Sequence, residues 1–208
     1  MNSAAPLVCV VDDDASIRKS LLRLFRSAGL AAEAFDSARA YLARAPHAGP
    51  SCLVLDVQMP ELTGLDLQQA LTASGREEQV IFITGNGDIP MCAQAMKAGA
   101  VDFLPKPFDD GALLAAVERA LARSSRQRQH LAEQHEAAAR VATLTPRERQ
   151  VFEGVLAGKL NKQIAADLGT ALKTVKVQRG RVMEKLRVTS VADLVRLAQQ
   201  AGVAPSGS

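Results

Sequence analysis

Tryptophan is absent from this 208-residue chain, tyrosine occurs once, and aromatic residues make up 3% of it. Stacking of successive bases on aromatic platforms, the usual device of single-strand binders, is therefore disfavoured. No leader-like segment and no run of about 18 apolar residues occurs, so no membrane partner is expected and the chain reads as soluble and cytoplasmic. Cysteine is scarce as well. Cys9, Cys52 and Cys92 are odd in number and fall within strand or helix patterns, which argues for reduced core thiols over disulfides or zinc ligands. His130 and His135 lie five apart beside Glu133 and Glu136 and read as solvated surface, not as a metal site. Internal repeats are lacking, and the last five residues, A-P-S-G-S, are expected to fray.

What the chain has is 48% hydrophobic content, enough for two small cores, and an uneven charge. Residues 1–124 hold 11 Lys or Arg and 15 Asp or Glu, a formal −4, while residues 125–208 hold 14 and 7, a formal +7. The basic end is the candidate nucleic-acid face. In the acidic part, short aliphatic runs at 7–11, 52–55, 79–83 and 101–104 are each followed by polar or turn-forming residues and read as buried parallel strands. Helical patterns lie between them at 16–28, where Ile17, Leu21, Leu24 and Phe25 share a face, and at 65–71, 91–98 and 113–121. Strand and helix alternate, so the fold class is α/β, a doubly wound parallel sheet.

Ligands of such sheets bind beyond the carboxyl ends of the strands. Asp12, Asp13, Asp56, Thr84 and Lys106 all fall there. Carboxylates gathered at one place repel unless a cation neutralises them, and an oxygen-only cluster suits Mg²⁺ or Mn²⁺. Asp13 and Asp56 are the expected direct ligands, Asp12 acts through water, and Gln58 offers its backbone carbonyl. Asp56 is the expected nucleophile toward a phosphoryl group, with Thr84 and Lys106 supplying a hydroxyl and an ammonium.

The segments V-V-D-D-D-A-S-I-R at 10–18, L-D-V-Q-M-P-E-L-T-G at 55–64, F-I-T-G-N-G-D-I-P at 82–90 and A-M-K-A-G-A-V-D-F-L-P-K-P-F at 95–108 resemble the receiver domain of FixJ-type response regulators. That resemblance implies a flavodoxin-like sheet of five strands, a cis Lys106-Pro107 bond, and a switch in which the Thr84 hydroxyl turns toward phosphate while Phe103 rotates inward. It also implies a sensor histidine kinase as phosphate donor, and a dimer surface on the fourth helix and fifth strand that forms on phosphorylation.

Further on, Thr145, Pro146 and Glu148 form a capping box that starts a helix ending near Gly158. A second helix spans 161–168 with Ile164, Ala165 and Leu168 inward, and Gly169 supplies the turn before a third. At 100° per residue the third helix places Leu172, Val175, Val182, Met183 and Leu186 on one side and Lys173, Lys176, Val177, Gly180 and Arg181 on the other. A helix-turn-helix whose second helix is apolar inside and basic outside suits the major groove of double-stranded DNA. Lys173, Lys176 and Arg181 are candidates for phosphates or guanine edges and Val177 for a thymine methyl; Lys162 and Thr174 suit phosphate contacts. The runs L-T-P-R-E, N-K-Q-I-A and K-T-V-K-V resemble the LuxR-type (NarL/FixJ) DNA-binding domain over about 140–204. Two departures stand out. Thr170-Ala171 replaces the usual Ile-Ser, so the capping hydroxyl comes from Thr170 or is lost, and Gln178 replaces a frequent histidine. In that family the last helix, here 190–200 with Val191, Leu194, Val195 and Ala198, pairs two domains; packing within the domain is the alternative use of the same stripe.

The expected organisation is a receiver at 1–122, a helical linker at 123–141 that extends the fifth receiver helix, and an all-α helix-turn-helix domain at 142–208. The leading reading is a transcription regulator, not an enzyme, in which phosphate on Asp56 promotes dimerisation and promoter binding. A regulator that binds DNA constitutively and is only modulated by phosphate stays open. An aspartyl-phosphate phosphatase would need an acid two residues after the nucleophile, where this chain has Gln58.

Overall fold

The computed structural model describes residues 4–76, 78–85 and 89–203. The expected fraying of 204–208 lies outside them, as do residues 86–88 of the third receiver-like motif. Two compact units, Met1–Arg128 and Gln129–Ser208, are present.

In the first unit, β1 (Leu7–Val11), β2 (Ala31–Phe35), β3 (Ser51–Asp56), β4 (Gln79–Thr84) and β5 (Asp102–Pro105) form one parallel sheet in the order β2-β1-β3-β4-β5. Helices α1 (Ala15–Ser27), α2 (Ala38–Leu42), α3 (Gly64–Ala73) and α4 (Ile89–Lys97) connect the strands, and α5 (Asp110–Ala142) follows β5 and continues past Arg128. The period-2 alternation of strand side chains divides the core in two. Leu7, Cys9, Val11, Leu53, Leu55 and Phe82 face one cluster with Tyr41, Leu67 and Leu71. Val8, Val10, Val54, Ile81 and Ile83 face the other, with Leu21 and Phe25 of α1 and Leu113, Ala116 and Val117 of α5.

Several expectations need correction. No apolar run marked β2, whose A-A-E-A-F is half-exposed, because an edge strand has only one covered side. Nor did the five-residue α2 show a pattern; Ser37 caps it. β5 was expected to be fully buried, yet as the opposite edge it is half-buried and ends exposed. Cys9 and Cys52 are free and buried, but Cys92 on α4 is only half-buried and so is not a core thiol. Burial pushes the Cys9 thiol up to about 11 and raises Cys52 further, which makes both unreactive.

In the second unit, α6 (Pro146–Leu156), α7 (Asn161–Asp167), α8 (Leu172–Leu186) and α9 (Val191–Gln200) surround a core of Val151, Phe152, Ile164, Val175, Val182, Leu186 and Leu194. The residues expected as a linker are helical within α5, and Ala137 and Val141 near its end are buried in this second core. His130 and His135 are exposed.

Candidate phosphoacceptor site and nucleic-acid interface

Register brings the first site together. Val11 pairs with Leu55, Asp56 with Ile83 and Thr84 with Pro105, so Asp12, Asp56, Thr84 and Lys106 end up side by side at the carboxyl edge of the sheet. Asp12 and Thr84 are fully buried, Asp56 nearly so, and Asp13 is exposed. The Lys106 ammonium donates to Asp12 Oδ2 at 2.8 Å and to Asp56 Oδ2 at 2.8 Å. Carboxylate oxygens of Asp12, Asp13 and Asp56 all lie within 4.8 Å of one another. Three carboxylates against one ammonium leave a net negative, oxygen-only cluster of the kind that holds a hard divalent cation. Burial pushes the Asp12 carboxyl up, against the opposing bonds from Lys106 and the Asp14 N–H. Burial also pulls Lys106 down, but its bonds to Asp12 and Asp56 outweigh this and its net direction is up, so the lysine is charged at neutral pH.

The surroundings hold these groups in place. Asp14 accepts from the Ser16 N–H and caps α1, while its own N–H donates to Asp12 Oδ1 at 2.8 Å. The Lys106 N–H donates to the Thr84 carbonyl at 2.7 Å, and the Lys106-Pro107 bond is cis. Gln58 reaches Asp56 through its backbone N–H, which donates to Oδ1 at 3.2 Å; the expected metal-facing group, its carbonyl, accepts no hydrogen bond among the described residues. Phe103 is half-buried on β5, its ring centroid 6.3 Å from that of Phe82.

Two neighbours escaped sequence reasoning although both lie inside the quoted motifs. Arg18, one turn into α1, donates to the Asp12 carbonyl at 2.7 Å. Gly64 opens α3 so close to β3 that a Cβ there would collide with the Asp56 carbonyl oxygen. The intervening loop closes with the Gly64 N–H on the Val57 carbonyl at 2.9 Å and with Glu61 in the left-handed region at φ 67°.

The second site is the surface of α8. Gly169 at φ 58° makes the turn after α7, and Arg179 of α8 donates to Asn161 Oδ1 of α7 at 2.8 Å. Lys173, Thr174, Lys176, Val177, Gly180 and Arg181 are exposed together, and Lys162 is exposed on α7. Val177, at 50% exposure, is the apolar member of this surface. Lys162, Lys173, Lys176 and Arg181 have no ion-pair partner among the described residues, so their charge is available to a ligand. Val175, Val182 and Leu186 are buried as expected, but Leu172 is 42% exposed. Leu172 opens the helix beyond the edge of the core, where the facial pattern has nothing to pack against. Ala171 caps α8 without a side-chain hydrogen bond and Thr170 does not substitute, so the capping hydroxyl is lost. On α9, Leu194 and Ala198 are consumed by the domain's own core, while Val191 stays exposed and Val195 half-buried.

Family models match parts of both units. The model for the response regulator receiver domain matches residues 8–118, and that for bacterial regulatory proteins of the luxR family matches 142–198. Nodulation protein W of Bradyrhizobium diazoefficiens is 48% identical over 201 residues, 97% of this chain and 88% of that protein. The transcriptional regulatory protein FixJ of Azorhizobium caulinodans is 46% identical over 96% of this chain and 94% of its own length. Among solved structures, the response regulator StyR superposes with a TM-score of 0.86 at 47% identity, covering 95% of this chain and all of that one. Full-length FixJ from B. japonicum gives 0.58 at 42% identity over 98% of this chain and all of that one. Receiver domains of this kind take phosphate from a histidine kinase and generally bind Mg²⁺ in an acidic pocket, and luxR-type domains bind DNA. A receiver sheet with an acid cluster at its carboxyl edge, followed by a luxR-type helix-turn-helix, makes this chain a member of the FixJ-type response regulators, which are phosphorylation-dependent regulators of transcription.

Proposed function

We propose that Asp56 is the phosphoacceptor and that its phosphorylation by a sensor histidine kinase switches DNA binding by α8. The observation that carries this reading is the Lys106 ammonium, 2.8 Å from carboxylate oxygens of both Asp12 and Asp56. In the transfer, an Asp56 carboxylate oxygen attacks the phosphorus held on the kinase's histidine; the P–O bond forms as the P–N bond breaks, and the imidazole leaves. Asp13, Asp56 and the Gln58 carbonyl would hold Mg²⁺ or Mn²⁺, with Asp12 assisting through water, and the bound cation would offset charge on the transferring group. Lys106 exchanges one carboxylate contact for a phosphate oxygen.

The Thr84 hydroxyl, at the end of β4, turns toward the new phosphate and Phe103 follows inward, a two-state rearrangement biased by phosphate. Half-exposed β5 and the exposed Met96 of α4 supply the surface on which two phosphorylated receivers pair. Pairing doubles the contacts made by Lys162, Lys173, Thr174, Lys176, Val177 and Arg181 on double-stranded DNA, and a DNA target puts the site of action in the cytoplasm. Asp56→Asn abolishes phosphate uptake from a small phosphodonor and, in gel-shift titrations at one fixed salt, abolishes the gain in DNA affinity that phosphodonor gives the native chain. Undiminished labelling overturns the assignment of Asp56. Equal affinities of native and phosphorylated protein favour the constitutive reading instead.

A further inference from the structure

At the amino-terminal ends of the strands, away from Asp56, the first unit contains a cavity of about 240 Å³ between α3, the start of β4, the turn after α4, and α5. Its polar lining includes Gln68, Arg76, Glu78 and Arg123. Gln68 is 5% exposed, and its Oε1 has no hydrogen-bond partner among the described residues. Its orientation is set by chemistry, because Nε2 donates to the Ala98 carbonyl at 3.2 Å and a carbonyl can only accept. Glu78 Oε2 is likewise buried and unpartnered, whereas Oε1 takes the Arg76 Nε–H at 2.7 Å and the Tyr41 hydroxyl at 3.3 Å. Arg76 and Glu78 thus neutralise each other within the cavity. Arg123, exposed on α5, has no ion-pair partner among the described residues.

Two buried acceptors, one of them on the carboxylate that Arg76 neutralises, call for a group rich in N–H donors. The free guanidinium of Arg123 at the rim calls for a carboxylate. We infer that this cavity is a binding site for a small zwitterion of the free α-amino acid class, its ammonium on Gln68 Oε1 and Glu78 Oε2 and its carboxylate on Arg123. The volume, equal to about eight waters, is enough for a small amino acid. Such a ligand would bridge α3, β4 and α5 and give the receiver a second input, separate from phosphate.

Calorimetric titration of the full chain with glycine, L-alanine, L-serine and L-aspartate tests this, with sodium acetate and methylammonium chloride as half-ligands. Saturable binding is expected for at least one amino acid and for neither half-ligand. It should weaken about tenfold or more in Arg123→Gln, a surface change, and in Gln68→Leu, and should persist in Asp56→Asn. The absence of saturable binding up to about 10 mM means that the cavity holds only water and overturns the proposal. Undiminished binding in Arg123→Gln, or equal binding of a half-ligand, overturns it as well.

Discussion

Glu148 joins the start of α6 to the end of α8, and its removal should loosen the whole DNA-binding unit. Its Oε2 accepts from the Thr145 N–H at 2.9 Å, the Thr145 hydroxyl at 3.0 Å and the Lys185 ammonium at 2.6 Å, with 7% of the side chain exposed. The Lys185 bond first, then the Thr145 N–H, hold its carboxyl at about 2 against an ordinary 4.5. At full strength that difference corresponds to about 3 kcal/mol. Lys185 is 37% exposed, so solvent screens the pair, and about 1.5 kcal/mol is the expected contribution. Because the folded value is the depressed one, the contribution is complete above 4.5, declines as pH falls from there toward 2, and is absent below. Glu148→Gln keeps an acceptor for Thr145 but loses the charge. Urea unfolding of the full chain, followed by circular dichroism, should show that loss at pH 7 and less than half of it at pH 3. A cycle with Lys185→Gln should return a coupling of about 1 kcal/mol at neutral pH. Additive losses at pH 7, or a coupling that does not fall at pH 3, would refute the reasoning.

Three further outcomes follow from particular atoms. Gly64→Ala forces its Cβ against the Asp56 carbonyl; it should cost about 1–3 kcal/mol and slow phosphate uptake, and native-like stability would mean that the loop relaxes freely. Ala171→Ser restores the hydroxyl that α8 lacks; a gain of about 1 kcal/mol is expected in thermal unfolding, and no gain would show that the cap position is already satisfied. Lys176→Ala removes an exposed, unpaired cation from α8; specific affinity in gel shifts should fall by about 1–3 kcal/mol if it reads a guanine edge, or the salt slope by about 0.9 per protomer if it meets phosphate. No change in either quantity would remove Lys176 from the interface.

Much of the fold was legible because local chemistry and packing agree at those places. β1, β3 and β4 are buried on both faces, so their aliphatic runs stand out against polar neighbours. The capping box at Thr145 and the glycine turn at 169 are short-range events that need no tertiary partner. β2 and α2 were not legible: half-exposed, alanine-rich segments carry too little contrast, and only pairing with β1 makes 31–35 a strand. Leu172 misled for the converse reason, since helical periodicity assigns a face without saying how far along the helix the core extends.

By itself, then, the order of residues determined the alternation of elements, the carboxylates and lysine at strand ends, and a basic face on α8, because each follows from periodicity, turn chemistry or charge within a few residues. Tertiary structure alone decided that Lys106 reaches Asp12 and Asp56 at once, that Gly64 must lack a side chain, and that Leu194 and Ala198 of α9 serve their own domain. Each of these depends on how segments distant in the chain align and pack, and neither register nor depth is written in any single segment.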